Sequence, residues 1–218
     1  MIAAVIFDFD GVLADTERLH LRAFQAALAN SGFVLNDSDY FTRYVGYDDR
    51  ETFVKLAQDS GLPLDRARLD HLLQAKSAAY RAQLAEGSAL FPHTRACVER
   101  LRPHFPLAIA SGSLHAEIAD ILTAAGLAGM FGAIVGADDV ARSKPAPDLY
   151  LAAARGLGVA PSAAVAIEDS HWGLEAARAA GLRRVAVTTS YPAEFLRPHA
   201  ERVIASLDEV TVEWLGRL

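Results

Sequence analysis

The sequence predicts an α/β fold, a parallel sheet with helices on both faces, interrupted near its start by an all-helical insert. Three observations predict it. Short, wholly apolar runs recur along the chain: Ile2 to Phe7, Leu107 to Ala110, Ala133 to Val135 and Ala164 to Ile167. Strands buried on both faces read as continuous apolar runs of this kind rather than as alternations. Amphipathic helical stretches separate the later runs, which is the alternation of βαβ units. Residues 16 to 87, by contrast, carry helix-period apolar positions and no convincing strand. The expected organisation is a core of residues 1–15 and 88–218, with residues 16–87 as a helical cap.

The first run ends in Asp8-Phe9-Asp10-Gly11. Asp is depleted in strands and costly to bury alone, so the two carboxylates mark the strand's end. Gly11 follows where the chain turns sharply or approaches a ligand. From Thr16, an expected N-cap, the period becomes helical. Leu19, Ala23, Phe24, Ala27 and Leu28 share a face, and Ser31-Gly32 stops the helix. Residues 38–45 read as a short helix or loop, broken by Gly46. Asp48 or Asp49 caps a helix to Ser60-Gly61. A third helix runs from Asp65 to Glu86-Gly87, with Leu69, Leu72, Leu73, Ala75, Tyr80 and Leu84.

A helix over Thr94–Leu101 leads into the second strand and then Ser111-Gly112-Ser113. The next helix carries Ile118, Ile121, Leu122 and Ala125 and is closed by Gly126. The third strand precedes Gly136 and an acidic loop, Asp138-Asp139. Ser143-Lys144-Pro145-Ala146-Pro147-Asp148 opens a helix to Leu157-Gly158. The strand from Ala164 ends in Glu168-Asp169-Ser170, and the helix after it closes at Ala180-Gly181. Strands over Arg184–Val187 and Val203-Ile204 precede a C-terminal helix from Leu207.

The chain has 218 residues, 52% hydrophobic and 22% charged, with a net charge of −6, an ordinary composition for a globular protein. It has no basic stripe, which argues against nucleic acid or an anionic membrane as partner. No stretch is long and apolar enough to span a bilayer. The chain runs straight into its first strand with no basic or cleavable leader. Its one cysteine, Cys97, is expected to be a small helical core residue without an intrachain disulfide. The expectation is a cytoplasmic monomer.

Polar residues follow the apolar runs at three places: Asp8 and Asp10, Ser111, and Glu168 with Asp169. Lys144 joins them at the start of a helix. In open parallel sheets ligands bind beyond the carboxyl ends of the strands, so these placements predict one convergent site, with the helical insert above it as a lid. Two carboxylates as close as Asp8 and Asp10 repel unless a cation or a shared proton relieves them. A hard cation with oxygen ligands, Mg²⁺ above all, is the natural relief.

Together these motifs resemble those of the haloacid dehalogenase-like superfamily of phosphotransferases. Asp8-Phe-Asp10-Gly-Val-Leu-Ala-Asp-Thr, Ser111-Gly-Ser, Lys144-Pro and Glu168-Asp169-Ser match its four motifs in order. The insert resembles the subclass with a helical cap on a Rossmann-like core. Asp15-Thr16-Glu17, His20, Lys76 and the stretch Ser143 to Asp148 look most like β-phosphoglucomutase-like and CbbY-like sugar-phosphate phosphatases. The resemblance implies that Asp8 is the nucleophile and forms an aspartyl-phosphate. It implies that Asp10 is the general acid and base, and that Ser111 and Lys144 bind the phosphate oxygens, with backbone N–H groups at Phe9, Asp10 and Gly112 adding anion-binding dipoles. Asp8, the backbone carbonyl of Asp10, and Asp169 would hold Mg²⁺, with Glu168 a ligand or an outer partner. His20, Arg50 and Lys76 are the implied cap residues for substrate, in a loop from Gly46 to Arg50 and on the cap helices. Arg50 stands one place later than the mutase pattern sets it. That shift and Ser111-Gly112-Ser113 rank a phosphatase of a small phosphorylated metabolite above a β-phosphoglucomutase-type phosphomutase. A non-catalytic binding member of the fold ranks third, because the catalytic residues are intact.

Each motif also has a purely structural reading. Ser113 is expected to cap the helix that follows. Pro145 suits the first position of a helix. Glu168-Asp169-Ser170 suits a helix start. His20 and Lys76 suit a surface helix, and Trp172 suits the core or a wall of the site.

Overall fold

The computed structural model describes all residues except Met1, Val45, Gly46, Asp48, Gly87 and Ser88, together with the side chains of Ala85 and Glu86. The readings of Gly46 as a breaker, Asp48 as a cap and Gly87 as a stop therefore lie outside the described residues. The chain divides into two compact units, Met1–Asp15 with Leu90–Leu218, and Thr16–Ala89.

In chain order, β1 (Ala4–Phe7) precedes the inserted helices α1 (Thr16–Leu28), α2 (Asp37–Asp39), α3 (Asp49–Ser60) and α4 (Arg66–Glu86). There follow α5 (Thr94–Leu101), β2 (Leu107–Ala110), α6 (His115–Ala124), β3 (Ala133–Val135), α7 (Asp148–Gly156) and β4 (Ala164–Glu168). The chain ends with α8 (His171–Ala180), β5 (Arg183–Val187), α9 (Ala193–Leu196), β6 (Arg202–Ile204) and α10 (Val212–Leu215).

The strands form one sheet in the order β3-β2-β1-β4-β5-β6, and every pair is parallel. This is the doubly wound, Rossmann-like arrangement. The chain steps outward from β1 to β3, then crosses back to β4 and steps outward the other way. Right-handed crossovers therefore set α5 and α6 on one face and α7 and α8 on the other. Alternate residues obey this division. Ala4, Ile6, Ala108, Ala110, Ala164 and Ala166 pack against Leu149, Tyr150 and Ala153 of α7 and Ala176 and Ala177 of α8. Val5 and Phe7 face the other way, and Phe7 meets Phe131 edge to face at 6.4 Å. The small residues on the first face let the helices lie close to the sheet. The winding reverses between β1 and β4, so the crevice at the strand ends opens there.

The inserted unit has its own core. Phe24, Phe53, Tyr40, Tyr44, Leu56 and Leu72 are buried together, with the rings of Phe24 and Phe53 5.1 Å apart. Where a short helix or loop was expected, Asp37–Asp39 form a three-residue helix capped by Asn36, which accepts from Asp39 N at 2.8 Å. It continues as a π-helical turn over Tyr40–Tyr44. The two ends of the insert meet in the sheet unit. Ala14 bridges Leu90 in antiparallel fashion, Phe91 N donates to Leu13 O at 3.1 Å, and Thr94 Oγ1 donates to the same carbonyl at 2.6 Å.

The C-terminal helix expected from Leu207 is split. Leu207–Glu209 is a 3₁₀ turn capped by Ser206, and only Val212–Leu215 is α-helical, capped by Thr211. Two capping hydroxyls five residues apart, Ser206 and Thr211, make two short starts rather than one helix. Cys97 is fully buried on α5, as expected.

Candidate active site

The ladder between β1 and β4 continues one step past Phe7, where Asp8 N donates to Ile167 O at 2.9 Å. This pins the Asp8 backbone at the crevice. A tight loop follows, with Leu13 N and Ala14 N both bonded to Phe9 O at 2.9 and 3.0 Å. Gly11 has a φ of +77°, and a Cβ there would overlap the Asp169 carboxylate. Two demands thus fall on one glycine, a left-handed turn and room for a carboxylate.

Asp8, Glu168 and Asp169 are buried, and each offers an oxygen within 4.8 Å of the others. Lys144 Nζ lies 2.7 Å from Asp8 Oδ1 and 2.6 Å from Glu168 Oε1. Its approach to Asp8 is off the hydrogen-bond direction, so Asp8 Oδ1 has an ion pair but no directed donor. Burial first, and then the charge of Glu168, push the Asp8 carboxyl well above its ordinary range, against the pull of Lys144. The same two causes lift Asp169 to about 8. Burial alone would lower the Lys144 ammonium, but Asp8 and Glu168 outweigh it and hold it above its usual value.

Glu168 is differently placed. Oε1 accepts from Lys144 and from Tyr150 OH at 3.1 Å, and Oε2 from Asp169 N, Ser170 N and Ser170 Oγ at 2.9–3.0 Å. Burial would raise its carboxyl, yet Lys144 and the Ser170 donors hold it below the ordinary value. Gly173 on α8 makes room for it, since a Cβ there would overlap the Glu168 carboxyl. The acidic cluster therefore serves more than a helix start, although Ser170 does cap α8 by accepting from Gly173 N at 3.1 Å.

Asp10 turns its carboxylate elsewhere. Its Oδ2 accepts from Ser111 Oγ at 3.0 Å and from Ser113 Oγ. Ser111 is fully buried at the end of β2, where its N–H bonds Val135 O. The reading of Ser113 as a helix cap is corrected. The residue preceding α6 is Leu114, and the free N–H of His115 is taken by Asp138 from the acidic loop at 2.9 Å. Ser113, one residue too early for that task, serves Asp10. Pro145 is likewise not a helix start, because α7 begins at Asp148. Trp172 is 52% exposed, so it is not core; its ring packs on His171 at 4.3 Å. Gly112 stands between the two serines, with open space around it except Ser143 Oγ, 3.9 Å from where a Cβ would be.

The remaining candidates lie in the helical unit. Lys76 is buried, 2.7 Å from Asp49 Oδ1 and 2.7 Å from His20 Nδ1. It lies over the rings of Phe24 and Tyr80 at 5.1 and 4.9 Å. It is not the solvated charge of a surface helix. His20 stacks on Tyr80 at 4.5 Å. Arg50 is exposed and 3.7 Å from Asp70. Tyr150 and Ser190 also touch the acidic cluster without having been singled out in the sequence. Ser190, on the turn after β5, donates its hydroxyl to Asp169 Oδ2. No period or motif marks these hydroxyls; only the fold brings them in.

The profile of the haloacid dehalogenase-like hydrolases matches residues 5–187. Protein CbbY of Rhodobacter capsulatus is 37% identical over 198 residues, 87% of each chain. Fructose-1-phosphate phosphatase YqaB of Escherichia coli is 34% identical, over 85% of this chain and 96% of its own. A crystal structure of a CbbY variant from Rhodobacter sphaeroides, in complex with xylulose-(1,5)bisphosphate, superposes with a TM-score of 0.82 at 31% identity, covering 96% of both chains. The chain belongs to the haloacid dehalogenase-like hydrolase family, in its CbbY-like group.

Proposed function

We propose that this chain is a magnesium-dependent phosphatase of a small phosphorylated sugar, acting through an aspartyl-phosphate on Asp8. The chain is a phosphoric monoester hydrolase, and its named relatives act on or bind sugar phosphates. The observation that carries the reading is the separation of two aspartates that have one residue between them. Asp8 lies in a buried acidic cluster beside Lys144, while the Asp10 carboxylate is held outside that cluster by two serine hydroxyls. A nucleophile and a proton carrier need such different surroundings.

The cluster suits a hard cation. Three buried carboxylates face one ammonium, Asp8 Oδ1 lacks a directed donor, and every donor atom is oxygen. Asp8, Asp169 and the backbone carbonyl of Asp10 would hold Mg²⁺. Glu168, with both oxygens already supplied, acts as an outer partner that orients Lys144. When bound, the ion supplies the positive charge that lets a carboxylate approach a phosphate dianion.

In the first step an Asp8 oxygen attacks phosphorus and the ester P–O bond breaks. Asp10 gives its proton to the leaving alkoxide. Lys144 and the Ser111 hydroxyl take the non-bridging oxygens and stabilise the charge that spreads over them. In the second step Asp10 removes a proton from water. The water oxygen attacks phosphorus, the bond to Asp8 breaks, and orthophosphate leaves. His20, Arg50 and Lys76 bear on substrate choice, so their substitution is expected to raise KM with kcat largely kept. We place the enzyme in the cytoplasm as a monomer; among the described residues no helix is long and apolar enough to cross a membrane.

The test is phosphate release from a panel of sugar phosphates with Mg²⁺ and with EDTA. Metal-dependent release from several members supports the reading. A sugar-phosphate isomer formed without net orthophosphate, given a trace of the bisphosphate, would replace it with the phosphomutase.

A further inference from the structure

Asp169 is confined on one side. Its Oδ2 accepts from Ser190 Oγ, and Gly11 lies against the same oxygen, where even a Cβ would overlap it. The Gly11 site is also close to the serine, whose Oγ lies 3.1 Å from the position a Cβ would take. Oδ2 is thus committed to a hydroxyl and hemmed by backbone, which leaves Oδ1 for any ligand.

We propose that Ser190 is a positioning residue that restricts Asp169 to single-oxygen coordination and thereby selects Mg²⁺ over Ca²⁺. The inference rests on the reading of Asp8 and Asp169 as cation ligands. The physical ground is the difference between the two ions. Mg²⁺ is small and demands near-octahedral geometry at about 2.0–2.1 Å, whereas Ca²⁺ accepts six to eight oxygens at about 2.3–2.6 Å and readily takes both oxygens of one carboxylate. A carboxylate with one oxygen tied down offers the first arrangement and withholds the second. Ser190 belongs to none of the four motifs and stands 21 residues beyond Asp169 on a different strand end. It lies on the exposed turn after β5, so water can fill the space of a lost hydroxyl but cannot hold the carboxylate in one orientation.

The experiment is calorimetric titration of the metal-stripped protein with MgCl₂ and, separately, CaCl₂, for the wild type, Ser190→Ala and Ser190→Thr. Circular dichroism checks that each variant is folded. Losing an outer-shell partner of this kind typically costs about 10–100-fold in metal affinity. Ser190→Ala is expected to bind Mg²⁺ about tenfold more weakly with Ca²⁺ affinity kept or raised, so the Mg²⁺/Ca²⁺ preference falls about tenfold. Ser190→Thr, which keeps the hydroxyl, is expected to restore it. An unchanged preference in folded Ser190→Ala overturns the inference. Asp169→Asn separates the two levels of the argument. If it leaves Mg²⁺ binding intact, the cation-site reading itself fails; if it abolishes binding while Ser190→Ala changes nothing, only the role of Ser190 is lost.

Discussion

One lysine of this molecule is buried, Lys76, and a second, Lys144, is largely covered, and their surroundings differ in one respect. Lys76, in the helical unit, faces one carboxylate, Asp49, which is 39% exposed; a histidine and two aromatic rings complete its shell. Lys144, in the sheet unit, faces two carboxylates directly, with a third close by, and all three are buried. The first set balances its own charge. The second is left with excess negative charge in a place that water barely reaches, and two of its three carboxyls are pushed up as a result. The lesson is that a buried charge alone marks packing, whereas a buried charge imbalance marks a place built for something absent from the chain.

The contrast can be broken in order of effect. Asp8→Asn is expected to lower turnover by about 10⁴-fold or more, since loss of a covalent nucleophile removes the whole pathway. The metal-free variant should melt no lower than the wild type, because one repelling carboxylate is gone. Retained turnover, read as phosphate release, would remove Asp8 from its role. Lys144→Met leaves buried carboxylates uncompensated and is expected to destabilise by about 3–5 kcal/mol in urea unfolding, with activity lost. Lys76→Met should cost only about 1 kcal/mol, because half-exposed Asp49 regains water; equal costs for the two lysines would erase the comparison.

Metal and pH sharpen it further. Asp8 and Asp169 titrate near 3.8 when unfolded, while in the folded chain Asp169 is lifted to about 8 and Asp8 is also raised. Between these values the folded form binds more protons, so the stability they contribute is present below about pH 4 and is lost as pH rises towards 8. Glu168, held low, acts only in the acid range. The melting temperature of metal-free protein should therefore fall from about pH 5 to about pH 8, and Mg²⁺ should raise it more at the higher pH. A flat profile would mean that the cluster is not short of positive charge. The smallest effect is expected for Ser113→Ala, which removes one of two hydroxyls on Asp10 and should lower kcat about tenfold or less with KM little changed. Unaltered kinetics would return Ser113 to a structural role.

The elements that position the site were legible because each strand is a short apolar run stopped by a polar residue. Thr94–Leu101, Leu107–Ala110 and Ala133–Val135 have the limits expected. The residues at the strand ends were legible for the same reason: Asp8, Ser111 and Glu168 interrupt runs that periodicity would otherwise extend. What escaped has no period. Ser113 stands one residue before the cap position at Leu114; Asp138, 25 residues on, takes the His115 N–H, and the Ser113 hydroxyl goes to Asp10. Ser190 and Tyr150 reach the cluster through the crossing of the chain, not through spacing. Of the two readings of Trp172, core or a wall of the site, its exposure removes the first; its ring packs on His171, which also meets Tyr191 and Phe195. The C-terminal segment misled for a local reason, since Ser206 and Thr211 each restart the backbone.

The bridge between Ala14 and Leu90, reinforced by Thr94 on the Leu13 carbonyl, has a consequence for how such a chain diversifies. The inserted helices leave and rejoin the sheet unit through neighbouring residues already fastened to each other. Whatever stands between residues 15 and 90 is, in terms of connectivity, a single surface excursion whose ends cost little to bring together at any length. Substitutions, insertions or an exchange of the whole excursion are expected to leave the register of β1 and the lie of Asp8 unchanged, since both are fixed by bonds outside it. On the proposed reading, recognition is thereby free to drift while Asp8 and its neighbours stay in place.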